Sequence, residues 1–180
     1  GHTWRLVFPH PAAIRGETRY EDEARHTFIT TDNWPGGTIR AILVDPRQPE
    51  HLLIAVKLNG LRIFASRDRG QVWKEIAALE CDDVHCLFLD PLAPPEEQML
   101  YVFSGVGVER FSIHGGPVER LSLPDGCLGL RHASWGLNSG TSEPVFYVTG
   151  YGPAIDGRPG CGVWTSEDRG ATWQRSARGL

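Results

Sequence analysis

A motif of four residue types at fixed spacing occurs twice in this sequence of 180 residues. The motif reads Ser-x-Asp-x-Gly-x-x-Trp, and each copy lies between two short apolar runs. The two copies consist of Ser66, Asp68, Gly70 and Trp73, and of Ser166, Asp168, Gly170 and Trp173. A short Asp side chain accepts hydrogen bonds from N–H groups of its own turn, Gly permits a positive φ, and Trp anchors the returning strand. The motif therefore predicts a structural role in a tight hairpin between two strands.

A second repeat sets the length of the repeating unit. Residues 42–46 (Ile-Leu-Val-Asp-Pro) recur as residues 87–91 (Leu-Phe-Leu-Asp-Pro), so the two Asp residues are 90 − 45 = 45 positions apart. The Trp residues of the two motifs are 173 − 73 = 100 positions apart, which corresponds to about two such units. The unit between them has a degenerate hairpin, His-Gly-Gly-Pro, at residues 114–117. A period of about 40–45 residues is typical of the four-stranded blades of a β-propeller.

Short runs rich in β-branched and aromatic residues, bounded by Gly, Pro or Asp, predict strands throughout the chain. We expect an all-β fold with about three four-stranded antiparallel blades of a β-propeller, forming an incomplete ring. The predicted units are residues 1–38 (the last strand of a preceding blade, 4–8, and a long loop), 39–79, 80–124 with the degenerate hairpin, and 125–180. The predicted strands are 39–45, 51–57, 62–66 and 72–77, then 84–90, 99–104, 108–113 and 118–123, then 128–135, 144–150, 162–166 and 172–176.

The first four residues, Gly-His-Thr-Trp, match the Gly-x-x-Trp end of the motif. We therefore expect that the sequence begins inside a third copy and is a fragment of a longer propeller. A Gly-His remnant of a purification tag is the alternative, although it leaves Thr3 and Trp4 unexplained.

The succession of an Asp-Pro turn, a strand, a Gly turn, a strand and the Ser-x-Asp-x-Gly-x-x-Trp motif resembles the Asp-box (BNR) repeat β-propellers. This group includes sialidases, xyloglucan-active glycoside hydrolases, sortilin-type receptors and photosystem II assembly factors. The resemblance covers about residues 39–180, and it implies that the box joins the third and fourth strands of a blade. It also favours an extracellular or periplasmic location. Because the group contains enzymes and non-enzymes, the fold does not decide the function. A Phe-Arg-Ile-Pro-like segment, expected of a sialidase, does not occur in the sequence.

Charge and cysteine spacing argue against several classes of partner. The net charge of −4 and the pI near 6.0 give no basic excess for nucleic acid. No apolar run reaches the roughly 18–20 residues of a membrane span. Four cysteines lack the CxxC or Cys/His spacing of a zinc site, and the Asp-x-Gly of the motif lacks the spacing of a calcium loop. We predict no metal and no cofactor. The cysteines are Cys81, Cys86, Cys127 and Cys161.

Two long connections are candidates for a ligand-binding face. Residues 9–38 and 151–160 map to the face that is opposite to the motif hairpins, and long loops on a rigid scaffold often carry binding residues. Mixed charge in a solvated loop, or an ion pair within the loop, is the alternative explanation of their polar residues. The candidate residues are Glu21, Asp22, Glu23, Asp32, Trp34, Asp156 and Arg158.

These observations favour a non-catalytic binding or scaffold module for a protein or a glycan. The alternative is a part of a secreted glycoside hydrolase, sialidase- or xyloglucanase-like, with catalytic carboxylates on the long-loop face or in missing blades. In either case we expect the end blades to bind the remaining propeller blades or to cause self-association, because an open arc exposes apolar faces.

Overall fold

The computed structural model describes residues 16–19, 27–30, 37–153 and 162–176. Within these ranges the secondary structure consists of strands and one 3-10 turn at Pro95–Glu97, and no helix is long and apolar enough to cross a membrane. The strands are β1 (Gly16–Arg19), β2 (Thr27–Thr30), β3 (Thr38–Val44), β4 (Leu52–Leu58), β5 (Gly60–Ser66), β6 (Lys74–Leu79), β7 (Cys86–Leu89), β8 (Met99–Ser104), β9 (Gly107–Ser112), β10 (Glu119–Leu121), β11 (Gly129–Leu137), β12 (Pro144–Tyr151), β13 (Gly162–Ser166) and β14 (Gln174–Ser176).

Twelve of the strands form three antiparallel sheets of four strands each. Sheet I contains β3 to β6, sheet II β7 to β10 and sheet III β11 to β14, and in each sheet every strand pairs with its neighbour in sequence. Every predicted strand between residues 39 and 176 overlaps an observed strand. The prediction of an all-β fold made of four-stranded antiparallel blades is confirmed.

The segment that was predicted to be a long loop holds a separate two-stranded sheet. Strands β1 and β2 pair antiparallel, with Gly16 opposite Thr30 and Arg19 opposite Thr27. The sequence of β1, Gly-Glu-Thr-Arg, contains no apolar residue, so it has no alternation from which a strand is predicted. The predicted strand 4–8 and the predicted third copy of the motif at residues 1–4 lie outside the described residues.

Sheets I and II pack face to face through aliphatic side chains. Alternate residues of a strand point to the same face, and Leu61 and Ile63 of β5 accordingly lie in this interface with no exposed surface. Sheet II contributes Leu100, Val102 and Phe111, which are also fully buried. Burial of these side chains fixes the packing of the first sheet on the second.

Sheets II and III pack through aromatic rings. Phe146 of β12 has no exposed surface, and its ring centroid lies 4.9 Å from that of Phe88, 5.3 Å from that of Tyr101 and 5.1 Å from that of Phe103. The three ring pairs are edge-to-face, the geometry that the ring quadrupoles favour. Trp164 of β13 belongs to the same cluster and is 5% exposed.

Candidate functional site

The first copy of the motif forms the connection between β5 and β6, here called hairpin I (residues 66–73). Ser66 is buried; its Oγ accepts a hydrogen bond from the Gly70 amide at 2.8 Å and donates one to Asp68 Oδ1 at 2.8 Å. Asp68 Oδ1 also accepts from the amides of Gln71 and Val72, both at 2.9 Å. Gly70 has a φ of 83°, which a residue with a Cβ rarely adopts. The Ser, Asp and Gly of the motif therefore hold one turn together.

The second copy, here called hairpin III (residues 166–173), repeats this arrangement between β13 and β14. Ser166 Oγ accepts from the Gly170 amide at 2.7 Å and donates to Asp168 Oδ1 at 2.8 Å. The Thr172 amide donates to Asp168 Oδ1 at 2.8 Å, and the Thr172 hydroxyl donates to Asp168 Oδ2 at 2.5 Å. The position of Thr172 is occupied by Val72 in hairpin I, so this hydroxyl is an additional contact of hairpin III.

The two motif Trp residues differ in the sheet to which they donate. Trp73 Nε1 donates to the Gly70 carbonyl at 3.1 Å, within its own hairpin. Trp173 Nε1 donates to the Ser122 carbonyl at 3.0 Å, and Ser122 follows the last strand of sheet II. Hairpin III is thus bonded to the preceding sheet as well as to itself.

The carboxyl groups of the motif have pKa values that lie below the ordinary Asp value of 3.8. The pKa of Asp68 is lowered by the Val72 amide and the Ser66 hydroxyl. For Asp168, burial raises the pKa, but the Thr172 hydroxyl and amide and the Ser166 hydroxyl outweigh it. A general acid needs a raised pKa, so both shifts are in the direction of a structural hydrogen-bond acceptor.

Replacing Thr172 with Val is expected to raise the pKa of Asp168 towards 3.8, because the substitution removes the hydroxyl that contributes most to lowering it. A carboxyl group whose pKa is lower in the folded state stabilises the fold at pH values above its unfolded-state pKa. This stabilisation is lost as the pH falls through the folded-state pKa. The variant should therefore show a smaller loss of stability below about pH 4. A carboxyl ¹³C NMR titration measures this change. The pKa of Asp68 serves as the internal control, because it should be the same in the variant and the wild type.

A buried carboxylate ends the first strand of sheets I and II. Asp45 is 1% exposed and Asp90 is 5% exposed, and the Oδ1 of each accepts the amide of the residue two positions later at 2.9 Å. Asn138 occupies the same place after β11, where its Oδ1 accepts the Gly140 amide at 2.9 Å. These three residues form equivalent turns in the three sheets.

The second oxygen of each buried carboxylate receives a donor from the following sheet or its hairpin. Arg169 of hairpin III donates its Nε to Asp90 Oδ2 at 2.6 Å, and its Nη2 contacts Glu143 at 3.1 Å. Gln98, which directly precedes β8 of sheet II, donates to Asp45 Oδ2 at 3.4 Å. Sequence reasoning did not identify Arg169 as a functional residue. The available signal was that Arg precedes the motif Gly in both copies, as Arg69 and Arg169.

The candidate residues of the two long connections lie outside the described residues. The described part of this long-loop face includes the turns that join the second and third strands of each sheet. It also includes the connections that precede β7 and β11. Lys57 and Asp82 form an ion pair of 3.7 Å there, and the Arg131 guanidinium lies 5.1 Å from the centroid of the Tyr151 ring. Tyr151 is 45% exposed, so an aromatic surface with a neighbouring cation is accessible beside the second long connection.

Histidines and cysteines of the described region do not form a metal centre. Within this region, no three His, Cys, Asp or Glu residues are close enough together to hold a metal ion. Cys81, Cys86 and Cys127 are free thiols, and burial raises the pKa of Cys81 and Cys86, which disfavours the reactive thiolate. His85 lies 6.3 Å from His132 between ring centroids.

Comparison with known proteins gives the fold. No family model and no curated protein matches the chain. A crystal structure of an ancestral GH74 enzyme matches with a TM-score of 0.56 at 19% identity, over 86% of this chain and 22% of that chain. A GH74 xyloglucanase from Xanthomonas campestris matches with a TM-score of 0.58 at 20% identity, over 83% of this chain and 25% of that chain. The three sheets are blades of a β-propeller. The chain spans a quarter or less of the length of these two enzymes, and identities of this size show the fold alone.

Proposed function

We propose that the chain forms three blades of an Asp-box (BNR) β-propeller, at residues 39–79, 80–124 and 125–180, and is a non-catalytic binding or scaffold module for a protein or a glycan. The observation that carries this proposal is that four Asp carboxyl groups, two with a lowered pKa and two buried, make structural hydrogen bonds. Asp68 and Asp168 hold turns, and Asp45 and Asp90 accept donors that cross between sheets. Structural contacts of this kind support a rigid scaffold rather than a reacting carboxylate.

The binding surface of the proposed module is the long-loop face. Its described part offers the exposed ring of Tyr151 with Arg131 beside it. An exposed aromatic ring gives a flat apolar area on which a sugar ring or an aliphatic side chain packs. In this proposal the candidate residues of the two long connections belong to the same binding surface; they are Glu21, Asp22, Glu23, Asp32, Trp34, Asp156 and Arg158.

The remaining partners in this proposal are further propeller blades or a second copy of the chain. The outward faces of the first and third sheets expose large side chains, among them Ile42 at 62% and Tyr147 at 44%. Exposed apolar surface of this kind favours association. An extracellular or periplasmic location completes the proposal.

A second candidate function is part of a glycoside hydrolase. The two GH74 structures favour it, since one of them is named as a xyloglucanase. Hydrolysis of a glycosidic bond requires two carboxyl groups about 5–10 Å apart across the sugar. In this candidate the two groups come from the long connections, with Asp156 as the first to test, or from blades outside this sequence.

Binding and hydrolysis of one glycan distinguish the two functions. We expect xyloglucan oligosaccharides to bind in calorimetry without release of reducing ends, and Tyr151→Ala to weaken binding about two- to tenfold through loss of ring packing. Tyr147→Ala is the matched control, because Tyr147 is a similarly exposed residue of the same strand, 44% against 45%, but lies four positions before Tyr151, which ends the strand.

Two outcomes would change this assignment. Release of reducing ends that is lost in Asp156→Ala supports the hydrolase and contradicts the non-catalytic module. The placement of the binding surface at Tyr151 is contradicted if the wild type binds no glycan on an array and Tyr151→Ala binds a protein partner as well as the wild type does.

A further inference from the structure

A groove of 510 Å³ lies between hairpin I and the end of β9, on the face opposite to the long connections. Three basic side chains line it: Arg67, Lys74 and His114. Its apolar wall is aliphatic and includes Val72, Ile76 and Ile113. Val72 is 67% exposed, so this part of the wall is accessible to a ligand.

The groove is open because sheet II has no copy of the motif. At the junction of sheets II and III, Arg169 and Trp173 of hairpin III donate to Asp90 and to the Ser122 carbonyl of the preceding sheet. At the junction of sheets I and II, the corresponding connection is the short turn that contains Gly115 and Gly116, both with positive φ. The two glycines bring no side chain towards sheet I. Gln98 contacts Asp45 and His114 contacts Arg67 across this junction, and a groove remains beside hairpin I.

The charge of the groove is positive although the chain has a net charge of −4. Among the residues that the structure describes, no carboxylate lies within salt-bridge distance of Arg67 or Lys74. Asp68 also lines the groove, and its lowered pKa keeps it negatively charged, so Arg67, Lys74 and Asp68 together contribute 2 − 1 = +1. In the described part of the chain, Arg67 and Lys74 therefore have no carboxylate partner, and both are exposed to a ligand.

His114 holds the Arg67 guanidinium in place. Its Nε2 lies 2.8 Å from the Pro95 carbonyl, which only accepts, so Nε2 carries the proton. Nδ1 is then the acceptor for Arg67 Nη2 at 2.6 Å. A guanidinium that is already oriented loses less conformational entropy when it binds a carboxylate.

We propose that this groove binds an extended acidic peptide, with Glu or Asp side chains on Arg67 and Lys74 and aliphatic side chains against Val72 and Ile76. The charge complementarity selects an anionic partner. The described lining has aliphatic side chains and no Phe, Tyr or Trp ring, which matches a peptide better than a sugar. The groove is a second binding site, separate from the long-loop face.

Fluorescence anisotropy with a labelled octapeptide of alternating Glu and Val tests the proposal. The double variant R67Q/K74Q is expected to bind about tenfold more weakly, because two partly exposed ion pairs are removed. R40Q is the matched control: Arg40 is an exposed Arg of β3 in the same sheet, and it does not line the groove. Melting curves of the variants should match the wild type, because both groove cations are exposed.

Each result has a definite meaning. The site is supported if R67Q/K74Q, but not R40Q, loses affinity for the Glu and Val octapeptide and if a Lys and Val octapeptide does not bind. The proposal is overturned if the Glu and Val peptide does not bind, if the double variant binds it like the wild type, or if R40Q loses as much. Oligogalacturonate that binds more tightly than the peptide, with the same dependence on Arg67 and Lys74, overturns the choice of a peptide as the occupant.

Discussion

Replacing Phe146 with Ala is expected to lower the free energy of unfolding by about 3–5 kcal/mol, the range for a large aromatic side chain removed from a core. Phe146 has no exposed surface and contacts three rings of sheet II, with centroid distances of 4.9 to 5.3 Å. The substitution removes a ring that contacts all three partners, and it leaves a cavity between two sheets. Each sheet is held in shape by the hydrogen bonds between its own strands. The surrounding rings cannot close this cavity without shifting one sheet against the other.

Urea denaturation of Phe146→Ala and Tyr147→Ala measures the effect. Tyr147 follows Phe146 in β12 but points to the opposite face and is 44% exposed, so its replacement is expected to cost about 1 kcal/mol or less. Hydrogen exchange adds a spatial test, since blades contact only their neighbours. Amides of β12 should exchange faster in Phe146→Ala, and amides of β4 should not. Equal losses for the two variants would mean that the ring cluster does not hold sheets II and III together.

The strands were predictable from sequence because their signals are local. In β5, Leu61 and Ile63 alternate with Arg62 and Phe64, and the burial of these residues alternates in the same way. The motif turns are local too, since Asp68 accepts hydrogen bonds from residues three and four positions away. Patterns that span only a few residues are therefore enough to predict each strand and the hairpin turn that follows it.

Features that depend on distant residues were not predictable. The contact of Arg169 with Asp90 joins residues 79 positions apart, and the groove brings Lys74 beside His114 across two sheets. Neither pair is adjacent in any repeat of the sequence, because each arises only when one blade packs on the next. The register shift between Leu130 and His132 in β11 is a further example. Leu130 and Ala133, three positions apart, both belong to the core shared with sheet II, so the alternation changes phase within this strand.

Replacing Arg169 with Met is expected to cost about 2–3 kcal/mol of unfolding free energy. The change leaves the Asp90 carboxylate, whose side chain is 7% exposed, without its charged donor. Loss of one partner of a fully buried pair costs about 3–5 kcal/mol, and the smaller value here follows from the solvent that reaches Arg169, which is 32% exposed. Thermal and urea unfolding of the variant measure the loss.

Arg69→Met separates the contact between sheets from the conformation of the hairpin. Arg69 occupies the same motif position as Arg169, with a φ of 61° against 59°, but in the described part of the chain it has no carboxylate partner. Both substitutions place Met in the same left-handed turn, so any cost of the backbone conformation is common to them. A loss of about 0.5 kcal/mol or less in Arg69→Met therefore assigns the larger loss to Asp90. Equal losses would instead assign it to the turn, and a double-mutant cycle of Arg169→Met with Asp90→Asn then shows no coupling.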